Sequence, residues 1–112
     1  MNLGLSTEFG LRDGQVYIIG REGDIQIDSP TVSKQHAEMI VKHRRVYLRD
    51  LKSKNGIFLV TDKRLVRLNE GYVNHDQLLM IGKVKCTLRS LLSANFGKSD
   101  SRTNGSQAST EL

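Results

Sequence analysis

The sequence contains no tryptophan, one proline, one cysteine and only six Phe and Tyr residues in 112. Cys86 alone cannot form an intrachain disulfide, and His36, His43 and His75 lack the spacing of a Cys/His metal site. We therefore expect neither a disulfide framework nor a bound metal or cofactor. No apolar run approaches the ~20 residues of a membrane span, and the N-terminus lacks the pattern of a secretory signal, so we expect a cytoplasmic protein without membrane contact.

The chain instead has a moderate apolar fraction of 38% and an excess of basic residues, 17 Lys and Arg against 12 Asp and Glu. Its length allows one domain, or one domain with a tail. Residues 93–112 are rich in Ser and Thr and show no repeated apolar spacing, which predicts a disordered tail after a folded domain at residues 1–92. The charges of the tail cancel, so the whole basic excess belongs to the predicted domain.

Short apolar runs separated by turn residues predict an all-β sandwich or barrel. The clearest period-two alternation, typical of a strand with one buried face, covers residues 84–89. We predict ten strands, at residues 3–8, 16–19, 25–27, 37–42, 46–50, 57–60, 64–68, 71–73, 78–81 and 84–91.

One segment also fits a helix. Ser29-Pro30 has the residue types of a helix N-terminus, and apolar and histidine side chains follow it at helical spacing as far as His43. A basic helix over residues 29–45 would suggest a helix-turn-helix protein. The flanking segments look extended, however, and no companion helix lies at turn distance, so the strand prediction is preferred.

A hairpin formed by the strands at 37–42 and 46–50 would bring two loops, residues 20–36 and 51–56, to the same end of the fold. The hairpin turn, with Lys42, Arg44 and Arg45, would lie one strand length away, roughly 17–20 Å at ~3.3 Å per residue. The loop end then collects guanidinium, ammonium, hydroxyl and amide groups, a combination suited to a phosphorylated ligand. Solvated surface charge explains the same residues equally well on composition alone.

Three motifs in these loops resemble the signature of forkhead-associated (FHA) domains. They are Gly20-Arg21, then residues 33–37 (Ser-Lys-Gln-His-Ala), then residues 50–56 (Asp-Leu-Lys-Ser-Lys-Asn-Gly). The resemblance covers roughly residues 3–92. It implies a β-sandwich of two antiparallel sheets with about 10–11 strands, and recognition of phosphothreonine in partner proteins.

The resemblance also implies roles for individual residues. Arg21 and Ser33 match phosphate ligands of the family, and Asn55 matches the side chain that holds the peptide backbone beside the phosphothreonine. Lys34 occupies a position that contacts phosphate or peptide in the family, and Lys54 occupies one where a small hydroxyl residue is common. Both are assigned to the expected phosphopeptide site. Gly20 and Gly56 match turn glycines, and His36 matches a histidine that links the binding loops.

One departure from the family pattern lies after Gly56. The family frequently continues into a second Asn-Gly turn, whereas residues 57–60 here run into Thr61-Asp62-Lys63. We therefore assign no peptide contact to this stretch.

The expected function is a phosphothreonine-dependent protein–protein interaction module in Ser/Thr kinase signalling, without catalysis and without a small-molecule substrate. Ser33 and His36 lie in a loop with no nucleophile elbow, and Cys86 lies on the apolar register of its strand. The expected partner is a protein phosphorylated by a Ser/Thr kinase. A tail phosphorylated at Thr103 or Thr110 would offer a route to self-association.

Two alternatives remain open from the sequence. The first is an assembly domain that keeps the fold but does not bind phosphate. The presence of Arg21, Ser33 and Asn55 argues against it. A small basic nucleic-acid-binding domain would use Lys42, Arg44 and Arg45, consistent with a pI near 9.6. Only Tyr47 accompanies those cations in the sequence, so no base-stacking surface is visible.

Overall fold

The computed structural model describes residues 9–96 of the chain. Within them nine strands and one helix form, in the following order: β1 Val16–Gly20, β2 Ile25–Gln26, β3 Ala37–Lys42, β4 Arg45–Asp50, β5 Ile57–Val60, β6 Leu65–Arg67, β7 Glu70–Val73, β8 Leu79–Ile81, β9 Val84–Cys86 and α1 Leu88–Phe96. Eight of the nine coincide with predicted strands to within one residue at each end, and β9 coincides with the start of the last predicted strand. The tenth predicted strand, at residues 3–8, lies outside the described residues.

The strands form two sheets, of order β2-β1-β3-β4-β7 and β6-β5-β8-β9. All pairs are antiparallel except β1 and β2, which run parallel through two residue pairs. The connection between these two parallel strands is tight. A Cβ on Gly23 would lie 2.3 Å from the Ile18 carbonyl oxygen, and the Asp24 carboxylate accepts a hydrogen bond from the Ile18 amide. The prediction of two sheets is confirmed, with this one parallel pair as an addition.

Alternation along each strand explains why the sheets pack face to face. Met39, Val41 and Leu48 of the first sheet are fully buried, as are Ile57 and Ile81 of the second. The residues between them on β3 and β4 face outward and are partly or fully exposed. One apolar face per sheet thus produces a single core between the two layers.

The β3–β4 hairpin shows that the alternative prediction of a helix over residues 29–45 is wrong. Six residue pairs join its strands, from Ala37↔Asp50 to Lys42↔Arg45. Its turn residues His43 and Arg44 have φ of 50° and 69°, the left-handed region, and the His43 amide donates to the Asp13 carboxylate at 2.8 Å. The hairpin is therefore complete from one end of the sandwich to the other.

The predicted final strand at 84–91 is wrong beyond Cys86. Thr87 begins α1 with a reciprocal cap: its hydroxyl accepts from the Ser90 amide at 3.0 Å, and the Ser90 hydroxyl accepts from the Thr87 amide at 3.1 Å. Leu88, Leu91 and Leu92 then lie on one helix face and enter the core. Helical spacing of these leucines outweighs the period-two pattern that precedes them.

The helix also extends past the predicted domain boundary at residue 92. Asn95 accepts a hydrogen bond from the Gln26 amide at 2.8 Å and donates to the Gln26 carbonyl at 3.2 Å, which fixes α1 to the end of β2. Residues 93–96 therefore belong to the folded part and not to the predicted tail. Residues 97–112 lie outside the described residues.

No helix within residues 9–96 is long and apolar enough to cross a membrane.

Candidate functional site

Two loops meet at one end of the sandwich, as the hairpin geometry predicts. The β2–β3 loop covers residues 27–36 and the β4–β5 loop covers residues 51–56. The Lys54 amide donates to the Ser33 hydroxyl at 3.2 Å, and the Asn55 side-chain amide donates to the Thr31 carbonyl at 2.7 Å. These two bonds connect residues that are 21 and 24 positions apart in the sequence.

His36 connects the same loops from below and is fully buried. Its Nδ1 accepts a hydrogen bond from the Ser33 amide at 3.0 Å, so Nδ1 carries no proton, and its Nε2–H donates to the Gly56 carbonyl at 2.9 Å. Its own backbone amide donates to the Ile19 carbonyl, and its carbonyl accepts from the Leu51 amide. One histidine therefore ties β1 and both loops together.

The same bonds argue against a Ser–His nucleophile. Both ring nitrogens of His36 are engaged by backbone groups, and neither is bonded to the Ser33 hydroxyl. Cys86 is also a poor nucleophile, because burial raises the pKa of its thiol to about 11. Among the described residues, no group of three or more His, Cys, Asp or Glu side chains has an arrangement able to hold a metal ion.

Asp50 shapes the β4–β5 loop and was not among the predicted site residues. Its carboxylate, nearly buried, accepts from both the hydroxyl and the amide of Ser53, and the Ser53 hydroxyl accepts from the Gly56 amide at 2.9 Å. Lys52 and Gly56 adopt φ of 55° and 77° so that the chain can turn around this carboxylate. Asp50, the acidic residue of the 50–56 motif, thus holds the conformation of the loop and is not among the residues that line the cavity.

Gly20 allows the end of β1 to approach the β2–β3 loop. A Cβ at this position would lie 2.2 Å from the Lys34 carbonyl oxygen, far inside contact distance. Across the contact the Arg21 amide donates to the Ser33 carbonyl and the Glu22 amide to the Lys34 carbonyl, each at 3.1 Å. The glycine thereby sets the position of the arginine beside the serine.

A cavity of about 160 Å³ lies between the two loops. Its lining residues are Arg21, Pro30, Thr31, Val32, Ser33, Lys54 and Asn55. Four of the five predicted ligand residues thus line one cavity, and no carboxylate is among the lining residues. The fifth, Lys34, lies outside it and pairs with Glu22 at 3.9 Å on the exposed surface.

The polar groups at this cavity retain hydrogen-bonding capacity. Arg21 uses its Nε–H on the Val32 carbonyl at 2.6 Å, which fixes the guanidinium and leaves its terminal N–H groups for a ligand. The Ser33 hydroxyl accepts a bond, so its own proton can be donated. Asn55 is anchored through its NH2 group, which leaves its carbonyl oxygen for a backbone N–H.

Thr31 is a residue that the sequence did not reveal. Its carbonyl accepts from Asn55 and its hydroxyl accepts from the Lys83 amide at 3.0 Å, while a Cβ on Gly82 would lie 2.5 Å from the Thr31 carbonyl oxygen. Thr31 therefore joins the β8–β9 turn to the cavity wall. The sequence feature that could have indicated Thr31 was Ser29-Pro30. This pair is equally typical of a helix N-terminus and of the turn that the structure contains.

Comparison with protein families identifies the fold. The family model described as FHA domain matches residues 17–82, more than half of the chain, and the chain therefore belongs to the FHA domain family. Comparison with curated protein sequences gave no match.

Solved FHA domains share the architecture. The FhaA FHA domain, complexed with the intracellular domain of Rv3910, is 25% identical with a TM-score of 0.57, over 67% of this chain and 79% of that one. The FHA domain of CT664 from Chlamydia trachomatis is 28% identical with a TM-score of 0.55, over 67% and 75%. Mycobacterium tuberculosis EmbR, in complex with a low-affinity phosphopeptide, is 27% identical with a TM-score of 0.54, over 64% of this chain and 19% of that one.

Proposed function

We propose that this protein is a phosphothreonine-dependent interaction module that binds a phosphorylated segment of a partner protein at the cavity between its two loops. The observation that carries the proposal is the cavity itself. It brings Arg21, Ser33, Lys54 and Asn55 together without a carboxylate. Such a set favours a doubly charged anion that accepts several hydrogen bonds.

The size of the cavity favours a single group over a whole small molecule. Pockets for drug-sized ligands run to about 300–1,000 Å³, whereas this one is about 160 Å³. A phosphate carried on an extended peptide meets that limit, because the rest of the peptide lies across the loops. The EmbR neighbour, described in complex with a phosphopeptide, is consistent with this mode of binding.

In the proposed complex the phosphate accepts from the free N–H groups of Arg21 and from the Ser33 hydroxyl. Lys54 adds charge at the cavity, and Lys34 adds charge at its rim once it leaves Glu22. The Asn55 carbonyl oxygen accepts from a peptide backbone N–H and sets the direction of the peptide. Binding without bond cleavage follows, because the site contains no activated nucleophile or general base.

A Ser/Thr kinase acting inside the cell supplies the phosphothreonine in this scheme. The partner is another protein, or a second copy of this chain phosphorylated at Thr103 or Thr110. Both threonines lie outside the described residues, so the proposal for self-association rests on sequence alone.

Calorimetric titration tests the proposal with three versions of a degenerate peptide library, centred on phosphothreonine, phosphoserine or threonine. We expect binding of the phosphothreonine library alone, and a loss of about ten- to a hundredfold with Arg21→Ala, since hydrogen bonds to charged groups contribute about 1.5–3 kcal/mol each. Arg64→Ala, an exposed arginine away from the cavity, serves as the control. Equal affinity for all three libraries contradicts the proposal.

A further inference from the structure

The outward face of the first sheet carries a row of partly or fully exposed apolar and aromatic side chains. Strand register aligns Val16 with Ile40, Ile40 with Tyr47, and Tyr47 with Tyr72, one residue from each of β1, β3, β4 and β7. Val16 is 44% exposed and Tyr72 is 51% exposed. The two tyrosine rings lie 5.2 Å apart at an interplanar angle of 79°. An aromatic pair that the sequence separates by 24 residues is thus formed by the sheet.

Three cations border this row at the β3–β4 turn. The Arg45 guanidinium lies 4.0 Å above the centre of the Tyr72 ring. Among residues 9–96, no carboxylate forms an ion pair with Lys42, Arg44 or Arg45. Two carboxylates lie nearby without pairing with these cations: Asp13 accepts from the His43 amide, and Glu70 accepts from the Tyr47 hydroxyl. Three Lys and Arg side chains therefore face two carboxylates, and the excess charge at this end of the sheet is positive.

The turn that displays these cations is conformationally costly. His43 and Arg44 both adopt positive φ. Histidine is enriched in this region, whereas a long side chain such as that of Arg44 costs about 1–2 kcal/mol there. Glycine at this position would make the same turn without that cost, so Arg44 points to a role for its side chain.

Two depressions share Tyr72 as a lining residue. The first, of about 340 Å³, lies at the β3–β4 turn and is lined by Arg44, Arg45, Tyr72, Val73, Asn74 and His75. The second, of about 220 Å³, lies on the sheet face and is lined by Ile40, Lys42, Tyr47 and Tyr72. We call the two together the tyrosine groove.

We propose that the tyrosine groove binds single-stranded nucleic acid. A base stacks on the outer face of the Arg45 guanidinium, which covers the Tyr72 ring, and the exposed half of Tyr72 contacts a neighbouring base. Lys42 and Arg44 neutralise the neighbouring phosphates. An acidic peptide would satisfy the cations but would leave these flat surfaces without a matching partner. A duplex fits poorly, because its bases are stacked inside and the groove offers no element that projects into a major groove.

The proposed nucleic-acid site is separate from the phosphopeptide cavity. β3 runs from the loop end at Ala37 to the turn at Lys42, roughly 17 Å at ~3.3 Å per residue. Substitutions in one site therefore leave the other intact, which makes the two proposals independently testable.

Fluorescence anisotropy of the full chain with labelled 20-nucleotide RNA and DNA single strands tests the proposal at 50, 100 and 200 mM salt. Tyr72→Ala is expected to weaken binding about tenfold with little change in salt dependence, since stacking does not release counterions. Tyr72→Phe keeps the ring and is expected to bind like the wild type. The triple variant Lys42→Gln/Arg44→Gln/Arg45→Gln is expected to reduce the slope of log K against log salt by about 2.

A matched triple variant separates the groove from general electrostatics. Lys63→Gln/Arg64→Gln/Lys83→Gln removes the same three charges from exposed positions elsewhere, and less than about threefold weakening is expected. Arg21→Ala is expected to leave oligonucleotide binding unchanged, and circular dichroism melts check that each variant is folded.

Three outcomes would overturn the proposal. The first is no binding of either strand at 50 mM salt, and the second is equal weakening by the two triple variants. The third is displacement of the oligonucleotide by a poly-glutamate peptide together with full binding by Tyr72→Ala, which would assign the groove to an acidic protein.

Discussion

His36→Ala tests how the two binding loops are held together. The substitution removes the bonds from the Ser33 amide and to the Gly56 carbonyl, each worth about 0.5–1.5 kcal/mol. The Gly56 carbonyl keeps a bond from the Gly82 amide at 3.0 Å, whereas the Ser33 amide loses its acceptor, at about 1–3 kcal/mol. We expect the free energy of unfolding to fall by about 3 kcal/mol, equivalent to a Tm lower by about 12–24 °C.

A second variant resolves which bond matters. In His36→Asn the side-chain oxygen replaces Nδ1 as the acceptor for Ser33, but no donor reaches Gly56, so about half of the loss is expected. His43→Asn is the matched control, since His43 is exposed with φ of 50°, a conformation that asparagine tolerates well. Its expected effect is within about 0.5 kcal/mol of zero, or slightly stabilising.

Urea denaturation followed by far-UV circular dichroism provides the measurement, because the chain has no tryptophan to report by fluorescence. A loss below about 1 kcal/mol for His36→Ala would refute the reasoning, since it would mean that the buried imidazole does not hold the loops.

Three further predictions concern single residues. Gly20→Ala places a Cβ 2.2 Å from the Lys34 carbonyl and is expected to cost more than about 2 kcal/mol by urea denaturation, whereas Gly14→Ala, with nothing within 4 Å, is expected to cost about 1 kcal/mol through its positive φ alone. Because burial raises the pKa of Cys86 from 9.0 to about 11, its thiolate fraction at pH 8 is about a hundredfold lower in the folded chain, and alkylation by iodoacetamide is expected to be correspondingly slower than in urea. Equal alkylation rates would contradict this. The hydrogen bond from Arg89 lowers the pKa of Asp76 below 3.8, so this pair stabilises the fold above that pH and the contribution is lost as pH falls through the lowered folded-state pKa. An NMR titration is expected to show the low value, and Arg89→Gln to raise it; an unchanged pKa in that variant would contradict the assignment.

Local sequence patterns were sufficient to predict most of the strands. In β3 each second residue enters the core and the strand is bounded by polar residues, so period-two alternation was sufficient to place it. The pattern failed after Cys86, where Leu88 satisfies both a period of two and the helical spacing to Leu91 and Leu92. The reciprocal cap of Thr87 and Ser90 decides between the two, and it is visible in the sequence only as a pair of hydroxyl residues three positions apart.

The candidate phosphate site could be predicted from the sequence because its motifs are short and contiguous. Arg21, Ser33 and Asn55 stand in motifs whose order and spacing carry the resemblance, and the structure brings all three to one cavity. Thr31 was missed because its role depends on the approach of Asn55 and of the β8–β9 turn, neither of which is a neighbour in the sequence.

The tyrosine groove shows the limit of reading charges along the chain. Lys42, Arg44 and Arg45 are adjacent in sequence, but the ring that makes them a stacking surface comes from β7, through the pairing of Tyr47 with Tyr72. A one-residue slip in that pairing would send Tyr72 into the core and expose Val73, since successive residues of a strand face opposite sides. Whether a basic turn is merely solvated or part of a binding surface therefore depends on strand register, and Tyr72→Ala is the substitution that separates the two cases.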